Sequence, residues 1–269
     1  MKKKFIDFFE SQLLDWELAR NNVSALKSVK RKPFKCKSLE GYVQFNPARA
    51  VSTLAKVDKD SIQQRKCFLC DANRPLEQKK LQLLPGWNML VNPFPILPYH
   101  FTIVNQNHTP QKLDFEIGKE LAVSVHGFVV FFNDDGAGAS APDHMHFQAV
   151  PIDELPLIKN FISHGKKIKK EELPFKILTD EKEIKDCPYP MNVYFWKNQE
   201  EEREVNFIAV PRKKHRPDEY YLQPPLRRAI SPGAIDMAGV LVTPIEEDFN
   251  MTNDKDVENI YLQVGFTDE

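Results

Sequence analysis

Hydrophobic residues recur with two different periods along the chain, and each period predicts a different kind of element. From Phe5 to about Val29 the apolar positions follow the i, i+3, i+4 spacing of one amphipathic helix. A second helical pattern covers residues 114–128 and runs into an apolar strand at 128–132. The basic residues 30–32, just before Pro33, are predicted to form a solvated turn. Alternating or apolar runs predict further strands at residues 42–45, 87–91, 100–104, 144–148, 191–196 and 204–210.

The predicted strand at residues 144–148 carries polar side chains at alternate positions. His144, His146 and Gln148 would share one face of this strand, and Met145 and Phe147 would face a core. Two histidines on one strand are often a structural accident. A glutamine at the same spacing, after a turn rich in glycine and alanine, instead indicates a functional site.

A second local signal is the pair Cys67 and Cys70, separated by two residues. Such a pair is either a redox couple or half of a tetrahedral metal site. A turn, and not a helix, follows the pair, which favours the metal site. Two reduced core cysteines are the alternative. No second pair of this kind exists, so any metal site must be completed by histidines, and the candidates are His100, His108, His126, His144, His164 and His215.

The His144-x-His146-x-Gln148 pattern resembles the active-site motif of the histidine triad superfamily. It is most similar to the branch that holds galactose-1-phosphate uridylyltransferases, diadenosine tetraphosphate phosphorylases and GDP-sugar phosphorylases. The resemblance implies an α+β fold with a histidine-triad-like antiparallel sheet and flanking helices, built from two fused half-repeats. Residues 1–40 would be an N-terminal helical segment, 41–160 the catalytic half, and 161–269 a degenerate second half that completes the sheet.

A segment in the second half of the chain is similar in sequence to the segment that contains the histidine motif, which agrees with two related halves. Residues 143–151 align without gaps on residues 236–244, with Gly239 at the position of His146 and Leu241 at that of Gln148. The second half would therefore lack a nucleophile. On this interpretation, one of the basic residues at 212–216 would contribute to binding the polyphosphate or sugar.

The resemblance also implies roles for individual residues. His146 would be the nucleophile that forms a nucleotidyl-histidine, and Gln148 would donate to the phosphate. The residues expected to bind substrate are Asn133, Gly138, Ala139, Ser140, Arg49, Asn92, Pro93 and Phe94. The ligands expected for a closed, structural zinc ion are Cys67, Cys70, His108 and His144. Residues 43–49 look similar to a segment of GDP-sugar phosphorylases. The sequence departs from the uridylyltransferase pattern by one additional residue, Asp143, before the first histidine of the motif.

Composition and charge limit the function classes. The chain has 269 residues and a net charge of −1, which argues against a nucleic-acid or membrane-surface partner. No run approaches the ~20 apolar residues of a membrane span, so a cytoplasmic location is expected. We expect a nucleotidyltransferase, for which a homodimer is one candidate assembly. Its donor would be a nucleoside diphosphate sugar or dinucleoside polyphosphate, and its acceptor phosphate or a sugar phosphate. A hydrolase on the same scaffold and a non-catalytic zinc-stabilised nucleotide-binding module are the alternatives.

Overall fold

The structure, a computed structural model, describes residues 3–53, 58–164, 170–198 and 204–267. The strands in these residues are β1 Lys30–Cys36, β2 Leu39–Phe45, β3 Leu81–Leu84, β4 Trp87–Val91, β5 Phe101–Asn105, β6 Phe128–Asn133, β7 His146–Pro151, β8 Met191–Lys197, β9 Val205–Pro211 and β10 Val240–Thr243. The α-helices are α1 Lys3–Asp15, α2 Glu17–Ala25, α3 Ala50–Thr53, α4 Lys59–Gln64, α5 Phe115–Ser124, α6 Pro156–His164, α7 Glu181–Asp186, α8 Ala234–Met237, α9 Glu246–Met251 and α10 Asp254–Val264. None of the helices in the described ranges is long and apolar enough to cross a bilayer.

Seven strands form one antiparallel sheet in the order β3-β4-β5-β7-β6-β8-β9. β7 lies in the middle, with β5 on one side and β6 on the other. In its register with β5, His146 lies opposite Val104 and Gln148 lies opposite Thr102. Phe147 points to the opposite face, into a cluster that also contains Phe5 of α1. The alternation predicted for residues 144–148 is therefore present, and the polar face of β7 looks away from α1.

The other face of this sheet is covered by a three-stranded sheet in the order β1-β2-β10, together with α10. β2 pairs antiparallel with β1 and parallel with β10. The prediction of a solvated turn at residues 30–32 is wrong, because these residues begin β1. β1 is an edge strand, where Pro33 is tolerated because no ladder hydrogen bond is needed from it. Arg31 stacks on Tyr42 of β2, which gives the basic residues a partner within the sheet.

The N-terminal helix is not continuous as predicted, because the chain leaves helical geometry at Trp16, whose backbone is extended. The Trp16 side chain is buried against the sheet, in the same cluster as Phe9 and Ala19. The break thus lets two short helices, α1 and α2, cover one sheet face. Residues 1–40 are also not wholly helical, since they contain β1.

The C-terminal part of the chain extends the main sheet. β8 pairs with β6, and β8 and β9 form the predicted hairpin, whose tip at 199–203 lies outside the described residues. β10 lies within residues 236–244, which align on the segment of the histidine motif, and it joins the three-stranded sheet instead. The chain has the predicted mixed α+β fold, with antiparallel sheets and flanking helices. Its division into two related halves stays a prediction.

Candidate active site and metal centre

Two cysteines and two histidines meet where β5 ends and β7 begins. Cys67 and Cys70 lie in one tight turn, His108 follows β5, and His144 lies two residues before the start of β7. One ligand atom from each lies within 4.8 Å of the others. The four residues form a Cys2His2 cluster that can bind a metal ion.

The spacing of the ligand atoms fits tetrahedral zinc. In such a site, bonds of about 2.3 Å to sulfur and 2.0 Å to nitrogen place neighbouring ligands about 3.5 Å apart. Here the Sγ of Cys67 is 3.3 Å from Nδ1 of His144, and the Sγ of Cys70 is 3.5 Å from the same atom. The Sγ of Cys70 is 3.2 Å from Nδ1 of His108. Because protein atoms fill all four positions, the arrangement is that of a structural site.

Neighbouring groups favour the tautomer of His144 and the ionisation state of Cys67 that bind a metal ion. Nε2 of His144 donates to the carbonyl of Asn105 at 2.8 Å, so the lone pair of the neutral ring is on Nδ1, facing the cysteines. Burial raises the pKa of Cys67. The neighbouring His144 side chain and the backbone N–H groups of the turn outweigh this effect and lower the pKa to about 7. A thiol that ionises near neutral pH readily becomes the thiolate that zinc requires.

His146 is held as a neutral imidazole with one reactive nitrogen. It is 3% exposed, and burial lowers its pKa to about 4. Its Nδ1 lies 2.8 Å from the carbonyl of His144, which only accepts, so Nδ1 carries the proton and Nε2 the lone pair. Gln111 fixes the backbone on both sides, since its side chain accepts from the N–H of His146 and donates to the carbonyl of the same residue.

Gln148 has a fixed amide orientation. The backbone N–H of Ile96 donates to Nδ1 of His100 at 3.2 Å, so the proton of this neutral ring is on Nε2. That Nε2 lies 2.7 Å from Oε1 of Gln148 and donates to it. Burial, and then the positive charge of Arg49, lower the pKa of His100 to about 3, which keeps the ring neutral. The NH2 group of Gln148 is consequently directed away from His100 and can act as a donor.

The loop between β6 and β7, residues 134–142, is called the glycine loop. Asn192 holds this loop, since its Nδ2 donates to the carbonyl of Ala137 at 2.6 Å. Asn133 fixes the same amide, because its Oδ1 accepts from Nδ2 of Asn192 at 2.9 Å and also from the N–H of Ala234 at 2.7 Å. Gly138 has a φ of 95° and packs directly on Gly233. A Cβ at Gly138 would lie 2.5 Å from the Cα of Gly233, so only glycine fits there.

The end of the glycine loop is tied to the segment before the cysteines. Ala139 is buried and Ser140 is half-buried. Asp143, the additional residue before the histidine motif, accepts from the guanidinium of Arg65 at 2.6 Å. Arg65 also stacks on Phe68, between the two cysteines. The additional residue therefore links the glycine loop to the metal cluster, a contact that no sequence pattern signalled.

Three of the four remaining predicted substrate residues lie together in the proline-rich loop of residues 92–98, called the proline loop. The Oδ1 of Asn92 accepts from the N–H of Phe94 at 2.9 Å, with Pro93 between them. Arg49 lies against the same loop, where its NH1 donates to the carbonyl of Phe94 at 2.5 Å. Arg49 thus contacts the loop predicted to form the nucleotide pocket.

Of the basic residues 212–216, one of which was expected to contact substrate, Arg212 is already engaged within the protein. Its guanidinium is fully buried, and its five N–H groups are all used within the protein. Sequence reasoning also missed Gln111, an isolated polar residue in an irregular segment that belongs to no pattern. In the sequence, His100 was a candidate only for the zinc site. Its contact with Gln148 was not predicted, although His100 begins a predicted strand.

Comparison with known proteins identifies the fold and the family. The crystal structure of yeast Ap4A phosphorylase Apa2 in complex with Ap4A matches with a TM-score of 0.65 at 16% identity, covering 99% of each chain. The complex with AMP gives 0.63 at 16% identity, covering 99% of this chain and 98% of Apa2. At this identity the likeness shows a shared fold. No curated protein matches the sequence. Since residues 8–151, more than half of its length, match the family described as Domain of unknown function (DUF4922), the chain belongs to that family.

Proposed function

We propose that the protein is a phosphorylase that cleaves a dinucleoside polyphosphate through a nucleotidyl-histidine at His146. The observation that carries this proposal is the state of His146, a buried neutral ring whose Nδ1 proton is held by a carbonyl and whose Nε2 keeps its lone pair. Gln148 lies two residues further along the same face of β7, with its NH2 group available as a donor. The fold shared with Apa2, whose crystal structures hold AMP and Ap4A, supports a nucleotide substrate.

In the first step, Nε2 of His146 attacks the α-phosphorus of one nucleoside. A P–N bond forms, and the P–O bond to the rest of the polyphosphate breaks, so that a nucleoside polyphosphate leaves with the bonding electrons. The ring gains positive charge during this step, and the carbonyl of His144, which accepts from Nδ1, stabilises it. Gln148 and backbone N–H groups of the glycine loop would donate to the phosphate oxygens.

In the second step, an oxygen of inorganic phosphate attacks the same phosphorus. The P–N bond breaks, a nucleoside diphosphate is released, and His146 regains its neutral form. Gln148 presents an amide donor at any pH and cannot supply a proton to a leaving group. This property suits transfer to a phosphate acceptor better than hydrolysis.

A nucleoside diphosphate sugar is the other donor class suggested by the sequence, through residues 43–49. In the structure, Gln44, Asn46 and Arg49 of this segment donate to backbone carbonyls of the proline loop. Their presence is explained without a sugar, so they do not favour a sugar nucleotide over a dinucleoside polyphosphate. A sugar phosphate is the alternative acceptor to inorganic phosphate.

Zinc is the metal that we propose for the Cys2His2 cluster, on the basis of the donor set and its spacing. Bound there, zinc would supply structural crosslinking of Cys67, Cys70, His108 and His144. Fixing the His144 side chain also fixes its carbonyl, which orients His146. The cluster therefore contributes to the reaction through the geometry of the nucleophile.

A labelling experiment tests the proposed acceptor. The protein is incubated with diadenosine tetraphosphate and isotopically labelled inorganic phosphate, and the products are separated. We expect the label in ADP, with unlabelled ATP as the other product. Product formation without phosphate, with no label incorporated, would instead indicate hydrolysis. Loss of all turnover in His146→Ala, with unchanged folding, is the companion result.

A further inference from the structure

The proline loop has a shortage of backbone donors. Three of its residues, 93, 95 and 98, are prolines and have no N–H group. Most of the loop is buried or half-buried, so its carbonyls need partners from elsewhere in the protein. Four consecutive carbonyls each receive a side-chain N–H, namely those of Pro93 from Asn22 at 2.7 Å, Phe94 from Arg49 at 2.5 Å, Pro95 from Asn46 at 3.2 Å and Ile96 from Gln44 at 2.9 Å.

Three of these four donors come from one short segment, and we call Gln44, Asn46 and Arg49 the carbonyl clamp. Gln44 lies in β2, and its side chain is completely buried. Its amide orientation is fixed, because Nε of Arg31 donates to its Oε1 at 2.8 Å and leaves Nε2 for the loop. Asn46 is anchored by its own N–H, which donates to the carbonyl of Thr243 in β10 at 3.0 Å. The clamp therefore connects the three-stranded sheet to the proline loop.

The hydrogen bonds continue from the loop to the reaction centre. Ile96, whose carbonyl is held by Gln44, donates its N–H to Nδ1 of His100. His100 in turn donates from Nε2 to Gln148. A shift of the loop would remove the contact that fixes the proton of His100 on Nε2, and with it the orientation of the Gln148 amide. Tyr99, just before His100, has a φ of 49°, an unfavourable conformation that the surrounding contacts must maintain.

We propose that the carbonyl clamp is a positioning device, which rests on the proposed function of the same site. It holds the proline loop in the conformation that receives the nucleotide, and through Ile96 and His100 it sets the donor direction of Gln148. Gln44, Asn46 and Arg49 are thus positioning residues. Loosening the clamp weakens nucleotide binding and slows nucleotidyl transfer together.

The chain offers a matched control for a purely structural role. Gln12 of α1 is also completely buried, and its Nε2 donates to the carbonyl of Glu77, which lies outside the site. Gln12→Met and Gln44→Met therefore remove the same kind of buried amide donor. We expect both variants to lose similar stability, and only Gln44→Met to change the site. Asn46→Asp, which keeps the shape and replaces the donor by an acceptor, is the second clamp variant should Gln44→Met fail to fold.

The experiment measures AMP affinity, the rate of adduct formation with diadenosine tetraphosphate, and hydrogen exchange of the peptide covering residues 92–100. We expect Gln44→Met or Asn46→Asp to raise the Kd for AMP and lower the adduct rate by about tenfold each, with faster exchange in the loop. Gln12→Met should match the wild type in all three. Clamp variants that bind AMP and form the adduct like Gln12→Met would refute the positioning role of the carbonyl clamp without contradicting the proposed function. A wild-type protein that neither binds AMP nor forms an adduct would overturn both.

Discussion

Replacing Arg212 with methionine should lower the free energy of unfolding by about 4 kcal/mol. The guanidinium donates to Oδ1 of Asn192 at 2.7 Å and to the carbonyl of Pro232 at 3.0 Å, both in buried residues. Each buried acceptor left without a donor costs about 1–3 kcal/mol. The carbonyl of Val264 also accepts from the N–H of Lys213, so losing the hydrogen bond from Arg212 costs little free energy there. Removing a desolvated charge gives back part of this cost.

Urea unfolding followed by tryptophan fluorescence measures this change, and a fall in Tm of about 10 °C should accompany it. Arg212→Lys is the control, because it keeps the charge but not the planar arrangement of five donors, and should fall between wild type and Arg212→Met. Asn192 also supports the glycine loop, so both variants should react more slowly. Equal stability of Arg212→Met and wild type would contradict this prediction, because it would show that the desolvation cost of the guanidinium cancels the gain from its hydrogen bonds.

Three further predictions concern the glycine loop, the metal and pH. Gly138→Ala should cost about 2 kcal/mol or more in urea unfolding and slow adduct formation, because the added methyl meets Gly233 and the positive φ disfavours alanine. Elemental analysis should find one zinc per chain, lost with a lowered Tm in Cys70→Ala. Burial lowers the folded pKa of His215 to about 4, so the unfolded chain binds the extra proton between pH 6.5 and 4 and stability falls as pH falls. Between pH 7.5 and 5.5, His215→Asn should lose about 1 kcal/mol less free energy of unfolding than the wild type.

Each of these predictions has a result that would contradict it. Unchanged stability of Gly138→Ala would mean that the glycine loop does not approach residue 233 closely in solution. A wild-type protein free of metal but with full stability would leave the cluster as reduced thiols and imidazoles. Identical pH profiles for wild type and His215→Asn would show that this histidine titrates normally when folded.

The parts of the fold that the sequence predicted are those in which burial is periodic. β4, β5, β8 and β9 were identified because most of their residues are apolar and buried in the main sheet, whose two faces are both covered. β1 was not, because its inward residues Phe34 and Cys36 are outnumbered by the charged ones on its exposed side. Its strand conformation comes from pairing with β2 and not from its own pattern.

In the candidate site, too, the local motifs were predictable from the sequence and the long-range contacts were not. Spacing within one segment, with a family resemblance, pointed to Cys67, His146 and their immediate neighbours in the motifs, and the structure brings the four predicted metal ligands together. The contacts that orient them join residues far apart in sequence, such as His100 to Gln148 and Gln44 to Ile96. No local period encodes such contacts, so they become visible only in the folded chain.

The covalent mechanism is tested most directly by the intact mass of the protein after brief incubation with diadenosine tetraphosphate in the absence of phosphate. We expect a mass increase of one nucleoside monophosphate on the wild-type chain. The adduct should disappear when phosphate is added and should never form on His146→Ala. Tight binding of the nucleotide without any adduct would contradict the covalent mechanism, and would leave a hydrolase or a nucleotide-binding module as the better description.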